Sequence, residues 1–176
     1  MIYSLAHRAP RNTFQLTATA GVYAIFLKPG VAVPGITLGE ERVIYVGRTE
    51  AGSGFKGRDH FRMPFPSSTV RQSLAVLLLD DLKLAAIPYR RSWKLDGGSD
   101  TRLKVWMNDH LLLAIEPRDD APLYEQRMIW AHQPPLNLKD CPQTTAHEKI
   151  SALRRAMTLR CRSAPFLPLS MHRTWP

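Results

Sequence analysis

Two tyrosines, a basic run, one carboxylate and one asparagine are the groups in this 176-residue sequence whose types and spacing could act on a phosphate. Tyr23 closes "GVY" (21–23) and Tyr45 opens "YVG" (45–47), so a hairpin between the two segments would bring the phenols together. Taken singly, a tyrosine in a strand is usually a core or sheet-face residue. The residues after the second strand add weight to the pair. Gly47 leaves room for a closely approaching backbone or ligand, and Arg48, Lys56, Arg58 and Arg62 then accumulate within 15 residues. Arginine suits phosphate because its planar donor fork meets two oxygens at once. Arg58 and His60 stand two apart, so they share a face if the chain is extended and diverge if it is helical.

Among the carboxylates, Glu40, Glu41, Glu50, Glu116 and Glu125 could ligate a metal, and Glu125 stands out. It sits in "PLYEQRMIWAH", surrounded by Leu123, Tyr124, Met128, Ile129 and Trp130. Carboxylates are seldom buried unpaired. An oxygen ligand for Mg²⁺ is one way to satisfy such a group; pointing to solvent or pairing with an arginine is the other. "QPPLN" stiffens the chain before Asn137, whose amide either ends its own turn or is held to orient a phosphate, a tyrosine or a water.

The elements that must position these groups follow from periodicity. "GVYAIFL" (21–27) and "RVIYVG" (42–47) are strand-length apolar runs, joined by the Gly/Pro-punctuated "KPGVAVPGITLGEE", which predicts a long hairpin connection. Ser67 or Ser68 caps an expected helix over 68–80 with Val70, Leu74, Leu77 and Leu78 as its apolar stripe. "AAIPYRRSWKL" is expected as the third strand, with Pro88 confining it to an edge. A helix over 100–109, capped by Ser99 or Asp100, carries Leu103, Trp106 and Met107, and its sequel "LLLAI" could leave the helix as another strand. Pro122 suits the first turn of a helix over 122–131, and Thr145 with Glu148 could form a capping box for one over 145–157. The pattern predicts an α/β (α+β) fold: a small mixed or antiparallel central sheet flanked by helices. Leu74, Leu77, Trp106 and Met128 are the expected core.

The length fits a single domain over 1–176 that can bury a core without staples. Twenty-four Lys and Arg against 15 Asp and Glu leave a net charge of +9, which favours nucleic acid or an anionic membrane surface as partner. The segment over 145–176 reads as a basic helix and an irregular tail. From Ser151 onward it holds Arg154, Arg155, Arg160, Arg162 and Arg173 and no acid, so it is either a solvated face or a second contact with a nucleic-acid backbone. Cys141 and Cys161 do not make a disulfide framework or a four-ligand zinc site. No continuous signal-peptide core or membrane-spanning run is evident, so a soluble, cytoplasmic protein without a membrane partner is expected.

Taken in order, "GVY", "YVG", "FKGRDHF" (55–61), a glutamate in a later helix and "PPLN" (134–137) resemble the GIY-YIG nuclease family over roughly residues 20–138. "SSTVRQSLAVLLL" also resembles a bacterial branch of that family in which an arginine opens the helix after the motif loop. The resemblance implies two strands bearing the tripeptides side by side, Tyr23 and Tyr45 as the active-site tyrosines, and Arg58 on the scissile phosphate. It implies Glu125 as the single metal-binding carboxylate, with Mg²⁺ or Mn²⁺ as cofactor, and Asn137 completing the site. Family members commonly place a histidine or tyrosine about one helical turn beyond the arginine. His60 follows Arg58 by two and Lys56 by four, so Lys56 is the alternative occupant of the arginine's place. Arg71 is then a second phosphate contact or a surface residue of the first turn.

The expected activity is metal-dependent hydrolysis of DNA phosphodiesters, with RNA the less favoured substrate; a basic binding module without cleavage is the alternative. Tyr23 would take a proton from water if neighbouring cations lower its pKa, or His60 would do so while Tyr23 orients the water. Arg58 would hold the non-bridging oxygens, with Arg48, Lys56, Arg62, Arg71, Arg154 and Arg155 available to the DNA backbone. One such site cuts one strand at a time, and a double-strand break would need a dimer or a second encounter.

Overall fold

A computed structural model describes residues 7–16, 18–139, 141 and 144–163. Its centre is a three-stranded antiparallel sheet in which β1 (Gly21–Leu27) runs between β2 (Val43–Thr49) and β5 (Leu111–Pro117). All seven residues of β1 are buried. Side chains alternate along a strand, so Tyr23, Ile25 and Leu27 enter one core while Val22, Ala24 and Phe26 enter another on the opposite face. This explains why the run is apolar at every position rather than at every second one. A bulge at Ile44 turns Ile44 and Tyr45 into the first core together and leaves Val43 and Val46 in the second.

The second core is roofed by α4 (Ala121–His132) through Tyr124, Met128 and Ile129. The first is covered by α2 (Thr69–Leu77), α3 (Gly97–His110) and α5 (Thr145–Ser163). A single turn, α1 (Gly54–Gly57), follows β2 directly. Ser68 caps α2, its side chain accepting the Arg71 N–H at 3.1 Å. Among the described residues, no helix is long and apolar enough to cross a membrane.

Four expectations need correction. The third strand of the sheet is "LLLAIEP". "AAIPYRRSWKL" instead folds into a separate ribbon of β3 (Ala86–Tyr89) and β4 (Ser92–Leu95), where Pro88 withdraws no bond from the main sheet. The cap of α3 is Asp96, which accepts the Ser99 N–H, while the Ser99 hydroxyl accepts the Ala85 N–H at 2.8 Å. α5 is opened by Thr144 and His147, whose backbone and side-chain groups bond reciprocally at 3.4 Å, one residue before the expected box. Trp106 is only partly buried and stacks on His110, whereas Leu74, Leu77 and Met128 are core. Arg173 and the expected irregular tail from residue 164 lie outside the described residues.

The outer edge of β2 is closed by "PPLN". The Leu136 N–H donates to the Ile44 carbonyl at 3.0 Å. The Asn137 amide then takes both backbone groups of Val46: Val46 N–H donates to Oδ1 at 2.9 Å and Nδ2 donates to the Val46 carbonyl at 2.7 Å. A sheet edge next to a site is thereby paired without a further strand. Asn137→Ala would strand two buried backbone groups and should lower stability by about 2–4 kcal/mol, read as a reduced urea midpoint at unchanged slope. A midpoint equal to wild type would show that Asn137 does not hold the edge.

Candidate active site

Tyr23 on β1 stands opposite Gly47 on β2, and Tyr45 stands opposite Ile25, so the two phenols are diagonal neighbours on one face. Their ring centroids are 6.0 Å apart. A Cβ built on Gly47 would lie 2.6 Å from both Cζ and Oη of Tyr23. The close approach that Gly47 permits is therefore made by the protein's own phenol.

His60 arrives from the turn after α1 and inserts beside both rings, 5.9 Å from Tyr23 and 5.1 Å edge-on from Tyr45. Its Nε2 lies 2.9 Å from Tyr23 Oη, and its Nδ1 lies 2.9 Å from Ser68 Oγ. The cap of α2 thus fixes the imidazole, and the imidazole fixes the phenol. The turn is fastened from behind by a buried ion pair: Arg11 donates to Asp59 Oδ2 from Nε at 3.0 Å and from Nη2 at 2.6 Å, while Asp59 Oδ1 accepts the Phe61 N–H at 3.2 Å.

Burial dominates the titration of these groups. It pushes the Tyr23 hydroxyl well above its ordinary value, with Tyr45 adding to the rise and Arg58 opposing it. Tyr45 is raised for the same first reason. The expectation that nearby cations would make Tyr23 a phenolate is therefore reversed: desolvation outweighs the guanidinium. His60 is lowered to about 4, by burial first and the Arg58 charge second, so it is a neutral imidazole at physiological pH.

The cleft in front of these rings, about 710 Å³, is lined by Tyr23, Tyr45, His60, Arg58, Arg48, Glu125 and Asn137 together with Lys139 and Arg154. Arg58 is exposed there. Lys56 and Arg62 are also exposed, but neither is among the residues lining the cleft. Glu125, on α4, faces the cleft with 18% of its side chain exposed and accepts from Arg48 Nη1 at 3.1 Å. Both polar atoms of the Asn137 side chain are engaged by Val46, so Asn137 acts on the site through the strand that carries Tyr45.

Arg71 is no surface residue. It is wholly buried, with its guanidinium on Asp100 and, at 2.6 Å, on the Met63 carbonyl, and it ties α2 to α3 and to the loop after His60. Arg154 is not remote from the site. Its guanidinium donates to Gln72 Oε1 at 2.7 Å and lines the same cleft, while Arg155, Arg160 and Arg162 are exposed. Sequence reasoning missed Lys139, whose only signal was its position two residues after Asn137. It treated Ser68 as a helix cap alone, because the second bond of that hydroxyl is made across a turn. Among the described residues, no group of three or more His, Cys, Asp or Glu could hold a metal.

The depressed pKa of His60 has a stability consequence. Between pH 6.5 and about 4 the unfolded chain binds this proton and the folded chain does not, so the contribution is complete above pH 6.5 and is lost on acidification. From pH 7 to pH 5 wild type should lose about 2 kcal/mol more than His60→Gln in urea unfolding. Parallel pH profiles for the two proteins would refute a buried neutral His60.

No curated protein and no solved structure matches the chain. The family model of the GIY-YIG catalytic domain matches residues 21–162, a span that opens at the strand bearing Tyr23, takes in Tyr45, Arg58, His60, Glu125 and Asn137, and runs into the last turn of α5. With that span covering most of the 176 residues, the chain belongs to the GIY-YIG nuclease family.

Proposed function

We propose that the protein is a metal-dependent endonuclease that hydrolyses DNA phosphodiester bonds. The observation that carries this reading is the meeting of Tyr23, Tyr45, Arg58, His60 and Glu125 around one basic cleft. Arg58 clamps the non-bridging oxygens of the scissile phosphate, in preference to Lys56, because its donor fork is the one that reaches the cleft. Tyr23 orients the attacking water. As that water gives its proton to the Tyr23 oxygen, Tyr23 passes its own to His60 Nε2, so a high-pKa phenol never has to persist as phenolate. Ser68 holds the other ring nitrogen during the transfer. The Arg58 charge is one of the two main causes of the low His60 pKa. A phosphodiester on Arg58 offsets that charge and makes His60 a better proton acceptor when substrate is in place.

Glu125 fits one hydrated divalent ion, since Mg²⁺ needs only one or two carboxylates when water and substrate oxygens complete its shell. Arg48 must then release the carboxylate, and the same oxygen donors suit Mn²⁺. When bound, the ion supplies positive charge near the departing 3′ oxygen. Glu125 is the one acid among the described residues that line the cleft, which favours one ion over two. Arg154 extends the phosphate-binding surface along α5, with Arg155 beyond it. A single cleft of this kind nicks one strand per encounter. DNA is favoured over RNA by the family assignment, and two free cysteines suit a reducing cytoplasm.

Purified protein should nick supercoiled plasmid with Mg²⁺ and not with EDTA. Glu125→Gln should lose at least about 100-fold in turnover while keeping most DNA affinity. Arg58→Ala should lose turnover and affinity together. DNA binding without cleavage by wild type would leave a binding module, cleavage in EDTA would remove the metal, and preferential cleavage of structured RNA would remove the DNA assignment.

A further inference from the structure

The catalytic cleft does not end at Glu125. A groove of about 850 Å³ continues from it across the outer face of α4, and Arg48, Glu125 and Lys139 line both spaces. Leu123, Gln126 and Trp130 line it at helical spacing on one face of α4, with Leu123 and Trp130 as the apolar members. Trp130 is 59% exposed, the most open large apolar side chain among the described residues, and Leu123 is 48% exposed. Every other tryptophan among the described residues is sheltered: Trp93 is buried and Trp106 is half-covered beside His110.

An open indole beside two cations and continuous with a phosphate cleft has a specific chemical complement. The cations meet the phosphates of a strand, and the ring face meets a base, which is apolar on its faces and polar at its edges. Base–aromatic stacking is tolerant of sequence and needs no base-reading element. A base within a duplex hides its faces against its neighbours and cannot stack on a side chain until it leaves the helix. We propose that Trp130 is a stacking platform for an unpaired nucleobase of the cleaved strand, held there by Arg48 and Lys139 on its backbone, so that the preferred substrate carries an unpaired nucleotide next to the scissile phosphate. This rests on the nuclease reading above and names its substrate class: single strands and single-strand–duplex junctions rather than continuous duplex.

The test is fluorescence anisotropy of the full chain, in EDTA, with a labelled 12-nucleotide single strand, the same strand carrying one abasic position at each site in turn, and a blunt hairpin duplex. Trp130→Ala should weaken single-strand binding about tenfold and leave duplex binding within about twofold. Trp130→Phe should restore most of the loss, and one abasic position should reproduce it in wild type but not in Trp130→Ala. Circular dichroism checks that the exposed substitution leaves the fold intact. Equal single-strand affinity for wild type and Trp130→Ala, or an equal loss on duplex, would overturn the platform. Unchanged DNA binding with an altered sedimentation coefficient would overturn it in favour of contact with a second copy of the chain. With Mg²⁺ added, the two readings separate. Cleavage that is indifferent to Trp130 ends the platform alone, whereas Trp130-dependent binding with no cleavage ends the nuclease assignment alone.

Discussion

The arrangement depends on β1 having no free side. It is hydrogen-bonded along both edges and buried on both faces, so neither its register nor the direction of its side chains can change without exposing an entire core. Tyr23 is carried by that strand and directed into the first core, where Gly47 gives it room to lie across β2. Everything that touches Tyr23, from Tyr45 beside it to His60 above it, is placed relative to the most constrained backbone in the molecule. Catalytic geometry built on such an element is held more closely than geometry built on loops.

Burial has a second consequence in the electrostatics. Neighbouring cations alone would favour a Tyr23 phenolate, but removal from water disfavours the ionised forms of both Tyr23 and His60. Tyr23 rises, His60 falls, and both stay neutral in the free protein. The charge in the cleft is carried instead by Arg48, Arg58, Lys139 and Arg154, together with Glu125. Neutral, hydrogen-bonded groups in the interior with cations at the mouth make a site whose proton affinities respond to the arrival of an anion.

The surplus of arginine also divides by environment. Arg11 and Arg71 are buried and bonded to Asp59 and Asp100, where they anchor the turn carrying His60 and the helix whose cap holds it. Removing one partner of such a pair leaves a buried charge uncompensated, which makes these arginines structural. Arg48, by contrast, lines the cleft and is 44% exposed beside Glu125. The count of 24 Lys and Arg therefore overstates the cationic groups offered to a phosphate backbone. Composition pointed to the class of partner while giving no means of telling fasteners from contacts.

The sequence by itself determined β1 and β2, their pairing, the helical stripes over Leu74, Leu77 and Met128, and the set Tyr23, Tyr45, Arg58, His60, Glu125 and Asn137 that surrounds one cleft. These were legible because apolar periodicity and turn residues act over a few positions, and because the tripeptides recur in a fixed order. Tertiary structure alone decided that "LLLAIEP" and not "AAIPYRRSWKL" completes the sheet, since a strand is chosen by which edge it can pair along its whole length. It decided that Arg71 is buried while Arg154 reaches the cleft, because helical spacing ranks the faces of one helix but cannot say what another helix lays against them. It also decided that Asn137 serves a backbone rather than a phosphate, and that Tyr23 is harder rather than easier to ionise. Desolvation is summed over every atom packed around a group, and those atoms come from segments far apart in the chain.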